Sequence, residues 1–147
     1  RPGVVIGKGG SGSEEIKKDI AKITKQNKIE LKVYEEQRPE IVAKLIGENI
    51  ASQIERRMNP KRAMERAAEA AMNTGLIKGV DIWVRGRIRG VDMARKIQFK
   101  LGSVPRHTIR ADIDFAQVTA QMPQGGTHGI KVWVNKGEKH TYDIDLN

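Results

Sequence analysis

Residues 80–85, Val-Asp-Ile-Trp-Val-Arg, alternate apolar and polar side chains, which predicts a strand with one face turned toward a core. Two further alternating runs follow, at residues 109–115 and 130–134. Before them, apolar side chains recur at helical spacing, and helices are predicted to begin near Pro39 and at Pro60. Strands that lack long crossovers between them do not pair in parallel, so the second half of the chain is predicted to form a two-layer α+β domain.

The two predicted helices differ in their apolar faces. The helix after Pro39 carries isoleucine and leucine, at positions 41, 45, 46, 50 and 54. The helix from Pro60 to about Gly75 carries alanine and methionine, at positions 63, 64, 67, 68, 71 and 72. A small-residue face lets this second helix lie close to the layer that covers it. A third, short helix is predicted over residues 91–101, ending near Gly102.

Toward the N-terminus, the predicted elements surround a glycine-rich segment at residues 7–12. Ser11, followed three residues later by Glu14, is a capping-box pattern, and it predicts a helix over about residues 12–26. The alternation that begins at Ile29 and ends near Tyr34 then predicts a half-buried strand. Residues 37–39 break this pattern, so the predicted domains are residues 1–37 and residues 38–147.

The segment Gly7-Lys8-Gly9-Gly10-Ser11-Gly12 has three interpretations. Its letters match the dinucleotide fingerprint, but only a short apolar stretch precedes it and the chain does not alternate strand with helix. A P-loop would need serine or threonine after Lys8, where Gly9 stands. The third interpretation is a KH module, in which a G-x-x-G loop joins two helices and holds single-stranded nucleic acid. A plain glycine turn between two helices is the alternative to all three.

The charge of the chain is concentrated in two clusters. There are 27 Lys+Arg and 18 Asp+Glu in 147 residues, a formal net charge of +9. Residues 56–66 and residues 85–96 each hold five positive charges and one negative charge, so together they carry +8. Clusters of this density favour phosphate contacts with nucleic acid, and a solvated basic surface is the alternative.

Other classes of protein fit the composition less well. Without cysteine, the chain has no disulfides, thiolate zinc sites or cysteine nucleophile. No apolar run approaches the ~18 residues of a membrane span. Two aspartate pairs and three histidines lack the spacing of a metal or acid–base site, so no enzyme, metal or cofactor is expected. These residues are Asp112, Asp114, Asp143 and Asp145, with His107, His128 and His140.

Two tryptophans, Trp83 and Trp133, occupy the outward positions of predicted strands. Each could stack on an unpaired base, or could instead cover a second apolar layer. The pattern leaves both alternatives open, and the second is the more common role of such residues.

The order of these motifs resembles bacterial-type small-subunit ribosomal protein three, a family with a type II KH module and a C-terminal domain. The resemblance spans nearly the whole chain. The stretches that carry it are residues 1–10, 38–40, 53–57, 62–64, 86–87, 104–115 and 129–134.

This resemblance implies a truncated KH type II module (helix, GxxG, helix, strand) followed by a two-layer α+β C-terminal domain. It also implies a structural constituent of the small-subunit head that lines the channel through which messenger RNA enters. The expected partners are ribosomal RNA, messenger RNA and neighbouring head proteins. The GxxG loop is Gly7, Lys8, Gly9 and Gly10. The messenger RNA patch is Arg56, Arg57, Lys61, Arg62 and Arg66. The ribosomal RNA contacts are Arg87, Arg89, Arg95, Lys96, Arg106, His107 and Arg110.

The chain departs from the family pattern at several points. Glu65 stands where a basic residue is usual, and Ser13 stands where an apolar residue is usual. The family's first two strands precede the loop, so the chain is expected to be part of a longer protein. The expected location is the cytoplasmic ribosome, with an organellar ribosome as the alternative. A free-standing KH regulator of RNA or single-stranded DNA is the alternative function, and an enzyme ranks third.

Overall fold

A computed structural model describes residues 2–25, 29–122 and 126–139, apart from the side chains of Pro2 and Arg89. The chain divides into two compact units between Gln37 and Arg38. No helix in the described part of the chain has both the length and the apolar composition that a membrane crossing requires.

The first unit contains two helices joined by a glycine turn. Helix α1 covers Pro2–Ile6, a 3₁₀ turn covers Lys8–Gly10, and helix α2 covers Ser11–Thr24. The prediction of a helix after the glycines is therefore confirmed, while its expected end at Gln26 lies outside the described residues. The predicted capping box is wrong. Gly10 holds the N-cap position with φ 87°, and the Ser11 hydroxyl donates instead to the Lys8 carbonyl at 3.1 Å.

The strand predicted after α2 does not form. Residues 29–36 have no regular secondary structure, although Ile29, Leu31 and Val33 are half-buried and the residues between them are exposed. A strand requires a neighbour to receive its backbone hydrogen bonds, and the described part of this unit offers none. Half-buried and exposed side chains therefore alternate along this segment, but the segment lacks the strand pairing that would make it part of a sheet.

The second unit opens with two helices that have separate start signals. A 3₁₀ turn at Pro39–Ile41 leads into helix α3, Ala43–Glu55. Helix α4 covers Pro60–Asn73, and the side chain of Asn59 accepts a hydrogen bond from the backbone amide of Lys61 at 3.1 Å. Proline at the first position and asparagine at the cap together fix the start of α4. Both predicted helices are confirmed.

Four strands follow the helices and form one antiparallel sheet in the order β2-β1-β4-β3. They are β1, Gly79–Gly86; β2, Arg95–Gly102; β3, Ala111–Met122; and β4, Gly126–Glu138. The helix predicted over residues 91–101 is wrong, because β2 pairs with β1 along eight residues, with Phe99 opposite Ile82. The predicted strand at residue 109 also begins late, since Ile109 is fully exposed and β3 starts at Ala111.

The core lies between the two helices and one face of the sheet. The buried face of α3 includes Ile46, Ile50 and Ile54, and the sheet contributes apolar positions of β1 and β4. Helix α3 packs closely on β3, since a Cβ at Gly47 would lie 2.8 Å from a methyl carbon of Val118. The unit is thus the two-layer α+β domain that the sequence predicts, with its other sheet face uncovered by these helices.

Candidate nucleic-acid interface

The GxxG loop, residues 7–10, depends on glycine conformations. Gly7, Gly9 and Gly10 have φ of 72°, 65° and 87°, values that side-chain-bearing residues rarely adopt. A Cβ at Gly7 would also lie 3.0 Å from the amide nitrogen of Gly12. The loop therefore leaves room for a ligand beside its backbone, with Lys8 exposed and the N-terminus of α2 directly after it.

The first basic cluster, residues 56–66, lies at the end of α3 and along the start of α4. All five cations are exposed. Lys61 is the one with an acidic partner among the described residues, because its Nζ lies 3.8 Å from a carboxylate oxygen of Glu65. Glu65, which departs from the family pattern, thus pairs with the predicted RNA-binding residue Lys61. The other four cations are Arg56, Arg57, Arg62 and Arg66.

Arg57 occupies a backbone conformation that is unusual for arginine. Its φ is 62°, in the left-handed region. The backbone amide of Arg57 donates to the Ile54 carbonyl at 2.8 Å, and that of Met58 donates to the Gln53 carbonyl at 3.0 Å. This pair of hydrogen bonds is a Schellman C-cap, in which glycine is the usual residue at the position of Arg57. No pattern in the sequence indicates this strain.

The predicted ribosomal RNA contacts differ in whether an acidic side chain pairs with them. The Arg87 guanidinium donates to the carbonyl of Val91 and lies 3.3 Å from Asp92, which stabilises its own turn. Arg110 pairs with Glu138 at 3.3 Å. Arg95 and Lys96, at the start of β2, are exposed and lack an acidic partner within the described residues. His107 is exposed in a turn, and the side chain of Arg89 is outside the described part of the structure.

A pocket of about 500 Å³ joins the two basic clusters. Lys61 lines it from the first cluster, whereas Arg95 and Lys96 line it from the second. The remaining lining residues are Asn59, Ile88, Val91 and Ile97. The sequence presents the clusters as separate sites, because nothing local indicates that β2 returns beside the start of α4.

The predicted ribosomal RNA contact Arg106 lies in a different environment. Its guanidinium forms an ion pair with Asp81, whose side chain is fully buried, and its own side chain is 33% exposed. Asp81 also accepts hydrogen bonds from Trp83 Nε1 at 2.9 Å and from Gln98 Nε2 at 3.0 Å. The sequence does not predict a role for Asp81, since its position in β1 is that of an outward-facing polar residue.

Both aspartates of β3 are engaged in ion pairs. Asp112 pairs with Lys139 at 3.3 Å, and Asp114 pairs with Lys136 at 3.3 Å. Asp114 also accepts a hydrogen bond from the backbone amide of Ala43 at 3.1 Å, which connects α3 to β3.

No group of three metal-ligating side chains occurs in the part of the chain that the structure describes. His128 is buried, and Asp143, Asp145 and His140 lie outside the described residues.

Both units of the chain match known families. The KH domain family matches residues 1–41, and the family described as Ribosomal protein S3, C-terminal domain, matches residues 50–134. Small ribosomal subunit protein uS3 of Alkaliphilus metalliredigens is 47% identical over 138 residues, which cover 94% of this chain and 58% of the relative. The protein of the same name from Ruegeria sp. is 46% identical over 143 residues, covering 97% of this chain and 59% of the relative. The chain thus spans less than two thirds of the length of these relatives.

Proposed function

Because the chain belongs to the small ribosomal subunit protein uS3 family, we propose that it is an RNA-binding structural constituent of the small-subunit head. Its ligands are ribosomal RNA and messenger RNA, and it works on the cytoplasmic ribosome beside other head proteins. Residues 1–37 act as a partial KH module, and residues 38–147 act as the ribosomal C-terminal domain. The relatives are named as ribosomal proteins, and no catalytic step is assigned to the chain.

The observation that carries this proposal is the arrangement of unpaired cations around the start of α4. Arg62 and Arg66 project from the helix, while Arg56 and Arg57 precede it, and all four lack an acidic partner among the described residues. Exposed cations without partners bind phosphates by releasing the counterions of RNA. This surface is assigned to the messenger RNA channel, with Lys61 as a weaker member because of Glu65.

Ribosomal RNA contacts are assigned mainly to Arg95 and Lys96. Both are exposed, and both line the pocket that also includes Lys61. Arg87, Arg106 and Arg110 keep the same assignment, but each shares its charge with an aspartate or glutamate, so each adds less to phosphate binding. His107 and Arg89 complete the proposed set.

The GxxG loop is assigned a separate contact with an RNA backbone. Glycine at three of its four positions allows phosphates to approach the chain closely, and Lys8 adds a positive charge. The N-terminus of α2, which directly follows the loop, favours the same negatively charged ligand.

Co-sedimentation with small ribosomal subunits tests this proposal. The chain is expected to migrate with the subunits on a sucrose gradient. The double variant Lys61→Ala, Arg62→Ala is also expected to migrate with the subunits. Ribosomes reconstituted with this variant are expected to pass more slowly through a messenger RNA hairpin. The matched control removes two lysines outside both clusters, Lys44→Ala with Lys139→Ala, and is expected to leave that passage unchanged.

Two results would contradict the proposal. A chain that binds RNA but stays at the top of the gradient would favour a free-standing KH regulator. An assembly defect in the Lys61, Arg62 variant would contradict the assignment of this surface to messenger RNA.

A further inference from the structure

The face of the sheet opposite α3 and α4, here called the outer sheet face, is strongly cationic. Its positions are those facing away from Val80, Ile82 and Val84 in β1 and their partners on the neighbouring strands. Among the positions paired along β1, Asp81 is the acidic residue, and it is fully buried beneath Arg106. Beyond the end of β1, Glu138 lies opposite Ala111 and is paired with Arg110. Four further cations lack an acidic partner within the described residues. They are Arg85, Lys96, Lys100 and Lys131.

These cations come from separate parts of the chain. Lys100 and Lys131 belong to neither basic cluster, and they join Arg85 and Lys96 only because β1 lies between β2 and β4. Lys131 is opposite Trp83, and Lys100 is opposite Asp81. The fold therefore creates a positive surface that the distribution of charge along the sequence does not indicate.

An aromatic row crosses the same face. The ring centroids of Trp83 and Trp133 are 4.9 Å apart, and those of Trp133 and Phe115 are 5.1 Å apart. Lys96 Nζ lies 3.8 Å from the centroid of Trp83, and the Arg106 guanidinium lies 4.7 Å from Trp83 and 4.6 Å from Trp133. The two tryptophans thus have cations over their rings, whereas Phe115 is 50% exposed.

The geometry points to an unpaired RNA strand as the ligand of this outer sheet face. We propose that bases stack on the exposed ring of Phe115 beside Trp133, and that the phosphates contact Lys131, Lys100 and Arg85. A four-stranded sheet that presents aromatic rings among cations is a known solution for binding single-stranded RNA. An acidic protein would match the charge but would make no use of an exposed flat ring. The inference rests on the proposed function for the class of ligand. It adds the aromatic row and the cations Arg85, Lys100 and Lys131, which that function does not use, and it shares Lys96 and Arg106 with the proposed ribosomal RNA contacts.

Tryptophan fluorescence provides a local probe, because the two tryptophans of the chain are Trp83 and Trp133. A short single-stranded RNA is titrated into the whole chain, alongside an abasic strand of the same length and a duplex. Stacking is expected to quench the tryptophans with the single strand only. Phe115→Leu is expected to weaken binding of the single strand about fivefold or more, and to leave binding of the abasic strand unchanged.

Lys100→Ala serves as a second variant, since shortening an exposed lysine leaves the packing of the core intact. It is expected to weaken binding of both the single strand and the abasic strand, whereas Lys44→Ala on α3 should change neither. Thermal unfolding of each variant checks that the fold is retained.

Equal affinity of wild type and Phe115→Leu for the base-bearing strand would overturn the proposal. So would equal competition by polyglutamate, because that result would assign the face to an acidic protein. These outcomes are distinct from failure of the proposed function. Failure of the proposed function would leave the chain at the top of the gradient, whereas failure of this inference would leave co-sedimentation and RNA binding by the Lys61, Arg62 surface intact.

Discussion

The Arg106 guanidinium donates a hydrogen bond to the buried carboxylate of Asp81, 25 residues earlier in the chain. This ion pair places one cation over two tryptophan rings and satisfies a charge that has no access to water. A buried carboxylate without its cation is strongly destabilising. The pair therefore anchors the loop before β3 to the outer sheet face, and stability is its main contribution.

The substitution Arg106→Gln is expected to lower the free energy of unfolding by about 3 kcal/mol, because Asp81 remains buried without a cation. Arg110→Gln is the matched control. Its ion pair with Glu138 is largely exposed, so its loss is expected to change stability by no more than about 0.5 kcal/mol. Urea unfolding of both variants measures the difference, and equal stability losses would contradict the anchoring role of Arg106.

Arg57→Gly is expected to stabilise the chain and weaken its binding to RNA. Glycine relieves the left-handed backbone at this C-cap, for a net stabilisation of about 0.5–1 kcal/mol. The loss of an exposed cation is expected to reduce the salt dependence of single-stranded RNA binding by about 0.7 in log–log slope. Arg56→Gly is the control, because Arg56 has φ −78° and carries no such strain. Urea unfolding and salt titration report the two effects, and a destabilised Arg57→Gly would show that no strain is stored there.

Glu65→Lys is expected to strengthen RNA binding. The change removes the carboxylate 3.8 Å from Lys61 and adds a cation to the same helix. The log–log slope of affinity against salt is expected to steepen by about 0.7 for each additional phosphate that the variant binds. Glu69→Lys carries the same change in charge about two turns from Lys61. An equal effect of the two variants would mean that net charge, rather than the release of Lys61, controls affinity.

Gly7→Ala is expected to disrupt the GxxG loop. The new Cβ would lie 3.0 Å from the Gly12 amide nitrogen, and the backbone would keep φ 72° and ψ 177° at a cost of about 1–3 kcal/mol. Helical content by circular dichroism and RNA affinity are both expected to fall. Gly3→Ala is the control, since no atom lies within 4 Å of the position its Cβ would take. A Gly7→Ala chain that retained both properties would remove the loop from the proposed interface.

Local signals in the sequence are sufficient to predict the helices α2, α3 and α4 and the strand β1. Pro60 with Asn59 marks the start of α4, and the alternation of Val80, Ile82 and Val84 marks β1. Strand β2 is not predicted, although Ile97 and Phe99 alternate with polar residues. Its identity depends on pairing with β1 across a turn, which is a non-local interaction.

The candidate site can be predicted from the sequence as a set of residues but not as a surface. The cations of the two clusters are evident from their positions, yet the pocket that joins Lys61 to Arg95 exists only after the sheet has formed. The strain at Arg57 and the burial of Asp81 likewise depend on contacts made elsewhere in the fold. The predicted strand at residues 29–34 fails for the related reason that its alternation has no partner to pair with among the described residues.

The central claim is that the folded chain presents unpaired cations that bind RNA phosphates. The most direct measurement is the affinity of the chain for single-stranded RNA as a function of salt concentration. About five phosphate contacts are expected, which corresponds to a log–log slope of about −3.5. A slope shallower than about −1 would contradict the claim, because it would mean that the exposed cations around α4 do not bind the RNA backbone.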